Sequence, residues 1–334
     1  NERIDQAKEV GALKSESGDK TVYRPEREAQ ILHRLTEINS GPLRPAQLQT
    51  IFREIISIAR AAESLPRVAV LGPAGTYSQA AVYKHFGREV EHLFGDDIED
   101  VFRLVESREA EHGVVPVENS TEGGISNTLD CLVTTALCIT GEVSLRVCHS
   151  LVGQAKERGL AKTVLGHEQA LAQCRHWLDR HLPALQRVGV SSNAEAARQA
   201  SENPACLAVA GMETAEIYGL NILEQGIEDQ PGNTTRFLVI GSESASVSGR
   251  DKTSLLLSSR NRAGSLQRLL APLSEHGISM SRIESRPSRT GLWEYIFFID
   301  LAGHVNDEIV RKALTAIEDE AALFKILGSY PRAI

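Results

Sequence analysis

Residues 67–87 read RVAVLGPAGTYSQAAVYKHFG, and this stretch decides the fold of the middle of the chain. The apolar run at its start predicts a buried strand, and the residues from Gly75 onward predict a turn and a helix. Glycines in such a turn allow close backbone approach, and the N–H groups at a helix N-terminus can hold an anion. The turn has neither the Gly-Lys-Ser/Thr of a P-loop nor a G-x-G-x-x-G pattern, so both nucleotide fingerprints are excluded. By itself the stretch is typical of an ordinary strand–helix turn.

The same alternation of strand and helix patterns continues to about residue 241. Further short apolar runs bounded by turn residues are HGVVPVE, AKTVLG, PACLAVAG and RFLVIG. The stretches QALAQCRHWLDRH and NAEAARQASE lie between these runs and are helical in character. This order predicts an α/β unit with a largely parallel sheet.

Residues 1–64 form a charge-rich helical region of a different texture. Apolar residues recur there at helical spacing, as in the set Leu48, Ile51, Phe52, Ile55, Ala59 and Ala62. Polar breaks at 15–19 and 39–42 divide the region into three helices. The first helix looks cut short and the sequence does not begin with Met, so we expect the natural start to lie upstream.

Residues 252–334 have a third pattern. TSLLLSS, ISMSRIESRP, LWEYIFFIDLAG and FKILGSYP predict strands, while GSLQRLLAPLSEHG and NDEIVRKALTAIEDEA predict amphipathic helices. The resulting order β-α-β-β-α-β predicts an α+β ferredoxin-like sandwich. The 334 residues therefore divide into three predicted domains.

Composition limits the class of protein. Lys plus Arg is 36 and Asp plus Glu is 44, giving a net charge of −8 that argues against general nucleic-acid binding. No apolar run approaches the ~20 residues that span a bilayer, and no signal-peptide pattern opens the chain. The five cysteines are odd in number and lack zinc spacing, which favours reduced thiols. We expect a cytoplasmic protein with no membrane or nucleic-acid partner and no metal site.

Four motifs in the middle region carry a resemblance. LGPAGTYS, VVPVENS with STEGG, HEQALAQC and NTTRF follow one another in the order found in the prephenate dehydratase family, across residues 67–240. The resemblance implies a two-lobed, periplasmic-binding-protein-like α/β domain over 67–241, with the site in the cleft between the lobes. One lobe is expected near 67–143 plus 222–241, and the other near 144–221. The implied reaction converts prephenate to phenylpyruvate without a metal or redox cofactor.

The resemblance also implies which residues act. Thr235 is the key catalytic residue, and its hydroxyl is expected to donate a hydrogen bond or relay a proton to the departing hydroxyl of prephenate. Arg236 suits a substrate carboxylate because its planar fork binds bidentately, and Glu118 can supply the proton if its pKa is raised. We expect Thr235 and Arg236 to face Glu118 and Asn119 across one cavity. The expected substrate-binding residues are Thr76, Ser78, Ser120, Gln169, Gln173 and Phe237.

The N-terminal helices resemble the helical chorismate mutase family in NERIDQAKEVGALK, YRPEREAQILHRL and GPLRPAQLQTIFREIISIARAAE. That family rearranges the dianion chorismate to prephenate, which requires cations for two carboxylates and for the developing charge on the ether oxygen. Two features depart from the family: an arginine upstream on the first helix is absent, and Ala59 stands where some members have Ser. Glu63 would have to be protonated to donate to the ether oxygen. The implied mutase site comprises Arg3, Lys14, Arg27, Glu28 and Glu63.

The C-terminal region resembles the ACT regulatory domain in RAGSLQRLL (262–270) and IESRPSR (283–289). Gly264-Ser265-Leu266 stands where the family pattern has Gly-Ala-Leu. The resemblance implies a homodimer or homotetramer that binds the effector phenylalanine at a subunit interface, with feedback inhibition of the dehydratase. The implied phenylalanine-binding residues are Ala263, Gly264, Ser265, Leu266, Glu284, Ser285, Arg286 and Pro287.

Three functional interpretations follow. The first is a bifunctional mutase–dehydratase acting on chorismate and prephenate. The second is a monofunctional dehydratase whose helices only dimerise, and the third is a non-catalytic amino acid sensor. The intact VPVENS and NTTRF motifs favour an enzyme. Use of arogenate, the aminated analogue of prephenate, is left open by the sequence.

Overall fold

The computed structural model describes residues 2–17, 23–155, 161–259, 262–287 and 295–333. The helices are α1 Glu2–Ser17, α2 Pro25–Ile38, α3 Pro45–Glu63, α4 Tyr77–Phe86, α5 Ile98–Glu106, α6 Ser126–Thr134, α7 Glu168–Gln173, α8 Arg175–His181, α9 Asn193–Glu202, α10 Met212–Ile217, α11 Ser265–Glu275 and α12 Glu308–Glu320. The strands are β1 Arg67–Leu71, β2 Glu91–Gly95, β3 His112–Asn119, β4 Gly123–Gly124, β5 Cys138–Arg146, β6 Ser150–Gly153, β7 Thr163–His167, β8 Gln186–Val190, β9 Cys206–Ala210, β10 Asn221–Gln225, β11 Thr234–Gly241, β12 Asp251–Ser259, β13 Met280–Pro287, β14 Tyr295–Ala302 and β15 Ala321–Pro331.

Helices α1 and α2 both pack on α3, so the N-terminal region has the three helices that the sequence pattern predicts. Helices α2 and α3 each begin with proline, which is pre-organised for the first helical position. Helix α1 crosses α3 so closely that a Cβ on Gly11 would lie 3.0 Å from Cα of Glu63. Tyr23, just before α2, is buried in a core cluster of the following unit with Val68, Val70 and Phe86. The helices are therefore anchored to the α/β unit.

The α/β unit has two lobes, each built on its own sheet. The first sheet has the order β2-β1-β3-β11-β5, with β4 paired to β3. Strands β1, β2 and β3 are parallel, but β11 runs antiparallel to both of its neighbours. The second sheet has the order β10-β6-β9-β7-β8 and is also mixed. The predicted two-lobed α/β class is confirmed, whereas the expectation of a largely parallel sheet is wrong.

Two segments connect the lobes, and both differ from the predicted lobe edges. Strand β5 stays in the first sheet as far as Arg146. Strand β10, which the sequence assigned mostly to the first lobe, pairs with β6 in the second sheet. The crossings therefore lie at 147–149 and 226–233, rather than at 143 and 222. The wider bounds 1–64, 67–241 and 252–334 remain predictions.

The C-terminal unit is an antiparallel sheet of order β13-β14-β12-β15 with α11 and α12 on one face, which confirms the ferredoxin-like class. Its other face joins the core of the first lobe, where Phe298, Leu327 and Tyr330 pack with residues such as Leu129 and Ile139. Among the described helices, none is long and apolar enough to cross a membrane.

Candidate functional site

A cavity of about 780 Å³ opens between the two lobes. Its walls come from the turn after β1 (residues 71–78), from the end of β3 and the start of β11, and from the segments after β7 and β8 in the second lobe. Sites in α/β proteins usually form at the carboxyl ends of parallel strands, where such loops gather. The predicted residues that line the cavity are Thr76, Ser78, Asn119, Gln169, Gln173 and Thr235.

Two helix N-termini enter the cavity from opposite lobes. Thr76 caps α4 by accepting from the backbone N–H of Gln79, and Ser192 caps α9 by accepting from that of Glu195. Each helix has ten residues and presents partial positive charge at this end. Among the described residues that line the cavity there is no lysine or arginine. Anionic groups there would be held by backbone N–H groups, hydroxyls and amides.

The side chains of Thr235 and Asn119 meet in the cavity. Nδ2 of Asn119 donates to Oγ1 of Thr235 at 2.9 Å, and the backbone N–H of Thr121 donates to Oδ1 of Asn119 at 3.0 Å. The two bonds fix which way the Asn119 amide faces. Because the Thr235 oxygen already accepts from Asn119, the Thr235 hydroxyl proton is left for another acceptor.

His149 lies in the first crossing segment (147–149) and lines the cavity, and its side chain contacts both lobes. Its ring approaches the Tyr77 hydroxyl of the first lobe at 3.1 Å and Oε1 of Gln173 in the second lobe at 2.9 Å. Burial lowers the pKa of His149, which keeps the ring neutral. An amide oxygen only accepts, so the proton sits on Nε2. Asn233, in the second crossing, also donates to Oε1 of Gln173, at 3.3 Å.

The second lobe also holds the glycine-rich turn in place. Oγ1 of Thr214 donates to the carbonyl of Gly75 at 2.6 Å, and the hydroxyl of Tyr218 donates to that of Ala74 at 3.1 Å. A Cβ on Gly75 would lie 3.2 Å from both side chains, and its φ of +87° suits glycine. The glycine thus permits the close contact between lobes that the sequence pattern alone did not reveal.

The prediction that Arg236 and Glu118 share this cavity with Thr235 is wrong. Successive residues of a strand point to opposite faces, and in the β3–β11 pair Thr235 lies opposite Asn119 while Arg236 lies opposite Glu118. The first pair lines the cavity. The second pair faces the C-terminal sheet, where Glu118 Oε2 lies 3.2 Å from Nε of Arg282.

Two predicted substrate-binding residues also lie off the cavity wall. Phe237 is 1 % exposed and packs in the core of the first lobe. Oγ of Ser120 accepts from the backbone N–H of Thr234 at 3.0 Å, so Ser120 fastens the start of β11. Sequence reasoning in turn missed His149 and Asn193, because no motif marks a residue that reaches a site only through the packing of lobes. Asn233 opens the NTTRF motif but was not predicted as a site residue.

The predicted mutase residues are partly brought together. Nζ of Lys14 lies 3.0 Å from Oε2 of Glu63, which joins α1 to the end of α3. Oε1 of Glu28 lies 2.5 Å from Nη1 of Arg60, one turn before Glu63 on α3, and burial raises the pKa of Glu28. Arg27 is exposed, and the side chain of Arg3 lies outside the described residues. That Glu28 joins Lys14 and Glu63 in one site stays a prediction.

The predicted phenylalanine site is divided between the two faces of the C-terminal sheet. Ser285 lies opposite Phe297, on the face covered by α11 and α12, and Gly264 caps α11 with φ +73°. Glu284 and Arg286 lie on the face toward the first lobe, where Nη1 of Arg286 is 2.9 Å from Oδ1 of Asp130. Strand alternation thus prevents these motif residues from forming one pocket within a single chain.

Comparisons with known families match the order of the three units. The sequence matches the family models for chorismate mutase type II over residues 1–64, for prephenate dehydratase over 68–245 and for the ACT domain over 253–319. A bifunctional chorismate mutase/prephenate dehydratase of Neisseria gonorrhoeae is 48% identical, with 100% of this chain and 92% of that protein aligned. A protein of the same description from Stutzerimonas stutzeri is 47% identical, with 100% of this chain and 93% of that protein aligned.

A solved structure is similar as well. Prephenate dehydratase of Arthrobacter aurescens, in complex with L-Phe, is 33% identical and superposes with a TM-score of 0.73. The match covers 80% of this chain and 90% of that one.

Proposed function

The chain belongs to the family of bifunctional chorismate mutase/prephenate dehydratases, and we propose from this that it carries both activities. The helical segment converts chorismate to prephenate. The cavity between the lobes converts prephenate to phenylpyruvate. The observation that carries the second assignment is the hydrogen-bonded pair of Asn119 and Thr235 in a cavity walled by two helix N-termini.

Prephenate gives up its ring carboxylate as carbon dioxide and its ring hydroxyl as water. The electrons of the breaking carbon–carbon bond enter the ring, the hydroxyl oxygen leaves with the electron pair of the carbon–oxygen bond, and the ring becomes aromatic. A site for this reaction has to hold two carboxylates and ease the departure of hydroxide. The departing oxygen also needs a proton.

Thr235 is the group we assign to the departing oxygen. Asn119 donates to its oxygen at 2.9 Å, so the threonine proton is free to point at a hydroxyl in the cavity. This bond stabilises the charge that develops as the carbon–oxygen bond breaks. The hydroxyl is a hydrogen-bond donor or relay, because threonine is too weak an acid to be ionised at neutral pH.

The substrate carboxylates are assigned to the two helix N-termini. The first residues of α4, from Thr76 to Ser78, offer N–H groups on one side, and Ser192 with Asn193 offers them on the other. Placing the two anchors on opposite lobes would let the substrate hold the lobes together. Gln169 and Gln173 add amide groups on the second lobe.

The dehydratase assignment is tested by Thr235→Val, which keeps the shape of the side chain and removes the hydroxyl. We expect kcat with prephenate to fall by about 100-fold or more, by analogy with the loss of an oxyanion-stabilising donor. Thr234→Val is the matched control, because Thr234 is the preceding residue and its hydroxyl bonds to the carbonyl of Gly232, off the cavity. A Thr235→Val protein with the wild-type rate would rule out the assignment.

We further propose that phenylalanine binds the C-terminal unit and inhibits the dehydratase, in a homodimer or homotetramer. The ACT match and the phenylalanine complex of the Arthrobacter aurescens relative support this. The motif residues lie on two faces of the sheet in one chain, which supports a pocket that a second chain completes. An allosteric coupling of ~1–3 kcal/mol predicts that affinity for prephenate or turnover changes by about five-fold or more.

The measurement is prephenate turnover with and without saturating phenylalanine, with the molar mass determined by light scattering. Equal rates under both conditions, or a monomer that is inhibited, would contradict this part of the proposal.

A further inference from the structure

Arg236 lies at the centre of a buried cluster of charges between the first lobe and the C-terminal sheet. Its Nε is 2.7 Å from Oε2 of Glu142, its Nη1 is 2.5 Å from Oδ2 of Asp300, and its Nη2 donates to the Tyr330 hydroxyl at 3.0 Å. The side chain is 14% exposed, and that of Asp300 is 5% exposed. Burial works to lower the pKa of Arg236, but Tyr330, Asp300 and Glu142 raise it above its ordinary value.

The two C-terminal partners of Arg236 are themselves held in place. Oγ of Ser254 lies 2.5 Å from Oδ1 of Asp300 and 2.7 Å from the hydroxyl of Tyr330. Tyr330 is fully buried, and the three residues stand on the adjacent strands β12, β14 and β15. Asp300 and Tyr330 are therefore already held in place on the C-terminal sheet when they bind Arg236. Removing one partner of a buried charge leaves that charge poorly compensated, so Arg236 is bound tightly by these two residues.

Arg236 is directly connected to the cavity by the backbone. Thr235 precedes it in β11, and the pairing register with β3 shifts between Arg236 and Phe237. Such irregularities re-aim side chains and are common beside active sites. The pairing with β3 is interrupted here, whereas the pairing with β5 continues from Thr234 to Val239. The anchoring of Arg236 is thus one of the contacts that set the direction of the Thr235 side chain.

We propose that Asp300 and Tyr330 are positioning residues for the dehydratase: from the C-terminal unit they hold Arg236, and through it they keep the Thr235 hydroxyl against Asn119. The inference rests on the proposed function of the cavity. It gives the C-terminal sheet a part in catalysis that does not require a bound effector.

Tyr330→Phe and Asp300→Asn test this, because each keeps the shape of the side chain and weakens one contact to Arg236. We expect kcat with prephenate to fall by about tenfold while KM changes by less than about twofold, since misplacement by a fraction of an ångström is costly at a reacting group. The mutase rate of the same protein should stay at the wild-type value. Ser329→Ala is the matched control, because Ser329 precedes Tyr330 and its hydroxyl bonds to Thr253 on the other face of the sheet.

A purely structural role makes a different prediction. It lowers the thermal midpoint in Ser329→Ala and Tyr330→Phe alike and leaves kcat unchanged in both. The positioning role lowers kcat only in the Arg236 partners, and combining Asp300→Asn with Arg236→Gln should cost no more than Arg236→Gln alone. If Asp300→Asn does not fold, Tyr330→Phe decides, since it removes one oxygen. Wild-type kcat in Tyr330→Phe, with the wild-type protein turning over prephenate, overturns the inference; failure of the wild-type protein itself overturns the proposed function.

Discussion

Asn119 controls the direction in which the hydroxyl of Thr235 points. Its amide faces Thr235 with nitrogen because the N–H of Thr121 already occupies its oxygen. An aspartate here would accept from both neighbours instead of donating to one. The Thr235 proton would then turn toward the carboxylate and away from the cavity.

Asn119→Asp is therefore expected to lower kcat with prephenate by about 100-fold, although the side chain keeps its size. The added negative charge should also raise KM for a dianionic substrate. Steady-state kinetics measures both kcat and KM, and Asn203→Asp is the control. Asn203 lies at the C-terminal end of α9, where its Oδ1 accepts a hydrogen bond from the backbone N–H of Ala205. Wild-type kcat in Asn119→Asp would show that the direction of the threonine proton is unimportant.

Motifs in the sequence identified the cavity residues that directly follow or end a strand, such as Thr76, Gln169 and Asn119. They failed for Arg236 and Glu118, although each is adjacent in sequence to a residue that was correctly placed. The reason is strand alternation combined with a third domain on the far face of the sheet. Asp300, the partner that holds Arg236, lies 64 residues along the chain, and no local pattern links the two.

The crossing of α1 and α3 brings Lys14 to Glu63, and it depends on the absence of a side chain at Gly11. A Cβ at Gly11 would lie 3.0 Å from Cα of Glu63 and 3.2 Å from its carbonyl oxygen. Glycine inside a helix ordinarily costs about 1 kcal/mol relative to alanine, so a larger residue would be favoured if the crossing were open. Backbone contact reverses that preference.

Gly11→Val should push α1 away from α3 and lower the mutase rate by about tenfold, while dehydratase kcat stays unchanged. The two assays are run on one preparation, so each serves as the reference for the other. Gly41→Val is a suitable control, because Gly41 lies in the turn before α3 and its nearest neighbour is 3.5 Å away. An unchanged mutase rate, or equal loss of both activities, would contradict the assignment of this crossing to the mutase site.

Helical and strand elements were predictable wherever the apolar pattern was clear, which holds for the helical period of α3 and for the continuous apolar runs of β12 and β14. The direction of β11 relative to its neighbouring strands was not predictable, because it depends on how the chain returns from the second lobe. A strand that re-enters the first sheet after the 87 residues 147–233 has no local pattern that tells parallel from antiparallel. The same return explains why the lobe edge near residue 222 was misplaced.

Two partly buried histidines at the junction of the helices and the first lobe link overall stability to pH. Burial, with smaller contributions from Arg53, Arg60 and His112, lowers the pKa of His85 to about 3. Burial and Arg60 lower that of His112 to about 4. Tyr23 from the helical segment lies against both rings, with its hydroxyl 2.5 Å from Nε2 of His85. The histidines are therefore neutral in the folded protein.

In the unfolded chain these histidines regain a pKa of ~6.5, so the unfolded state binds more protons between pH 6.5 and about 4. Stability is then fully present above pH 6.5 and is lost as the pH falls. We expect the free energy of unfolding to drop by a few kcal/mol between pH 7 and pH 4.5, in urea titrations at fixed salt.

His112→Phe removes one of the two titrating groups and should make the free energy of unfolding depend less steeply on pH. The phenylalanine ring fits at this position because the His112 ring already stacks on Phe86. His276→Gln, at an exposed position after α11, should leave the slope unchanged. A stability that does not vary with pH over this range would mean that these histidines are not held neutral in the folded protein.

The most direct test of the whole account is a time course of the full chain supplied with chorismate, comparing wild type with Thr235→Val. The wild-type protein should pass chorismate through prephenate to phenylpyruvate. The variant should consume chorismate at the wild-type rate and accumulate prephenate, because the helical segment and the cavity between the lobes act separately. Phenylpyruvate formed at the wild-type rate by Thr235→Val, or loss of both steps together, would contradict the account.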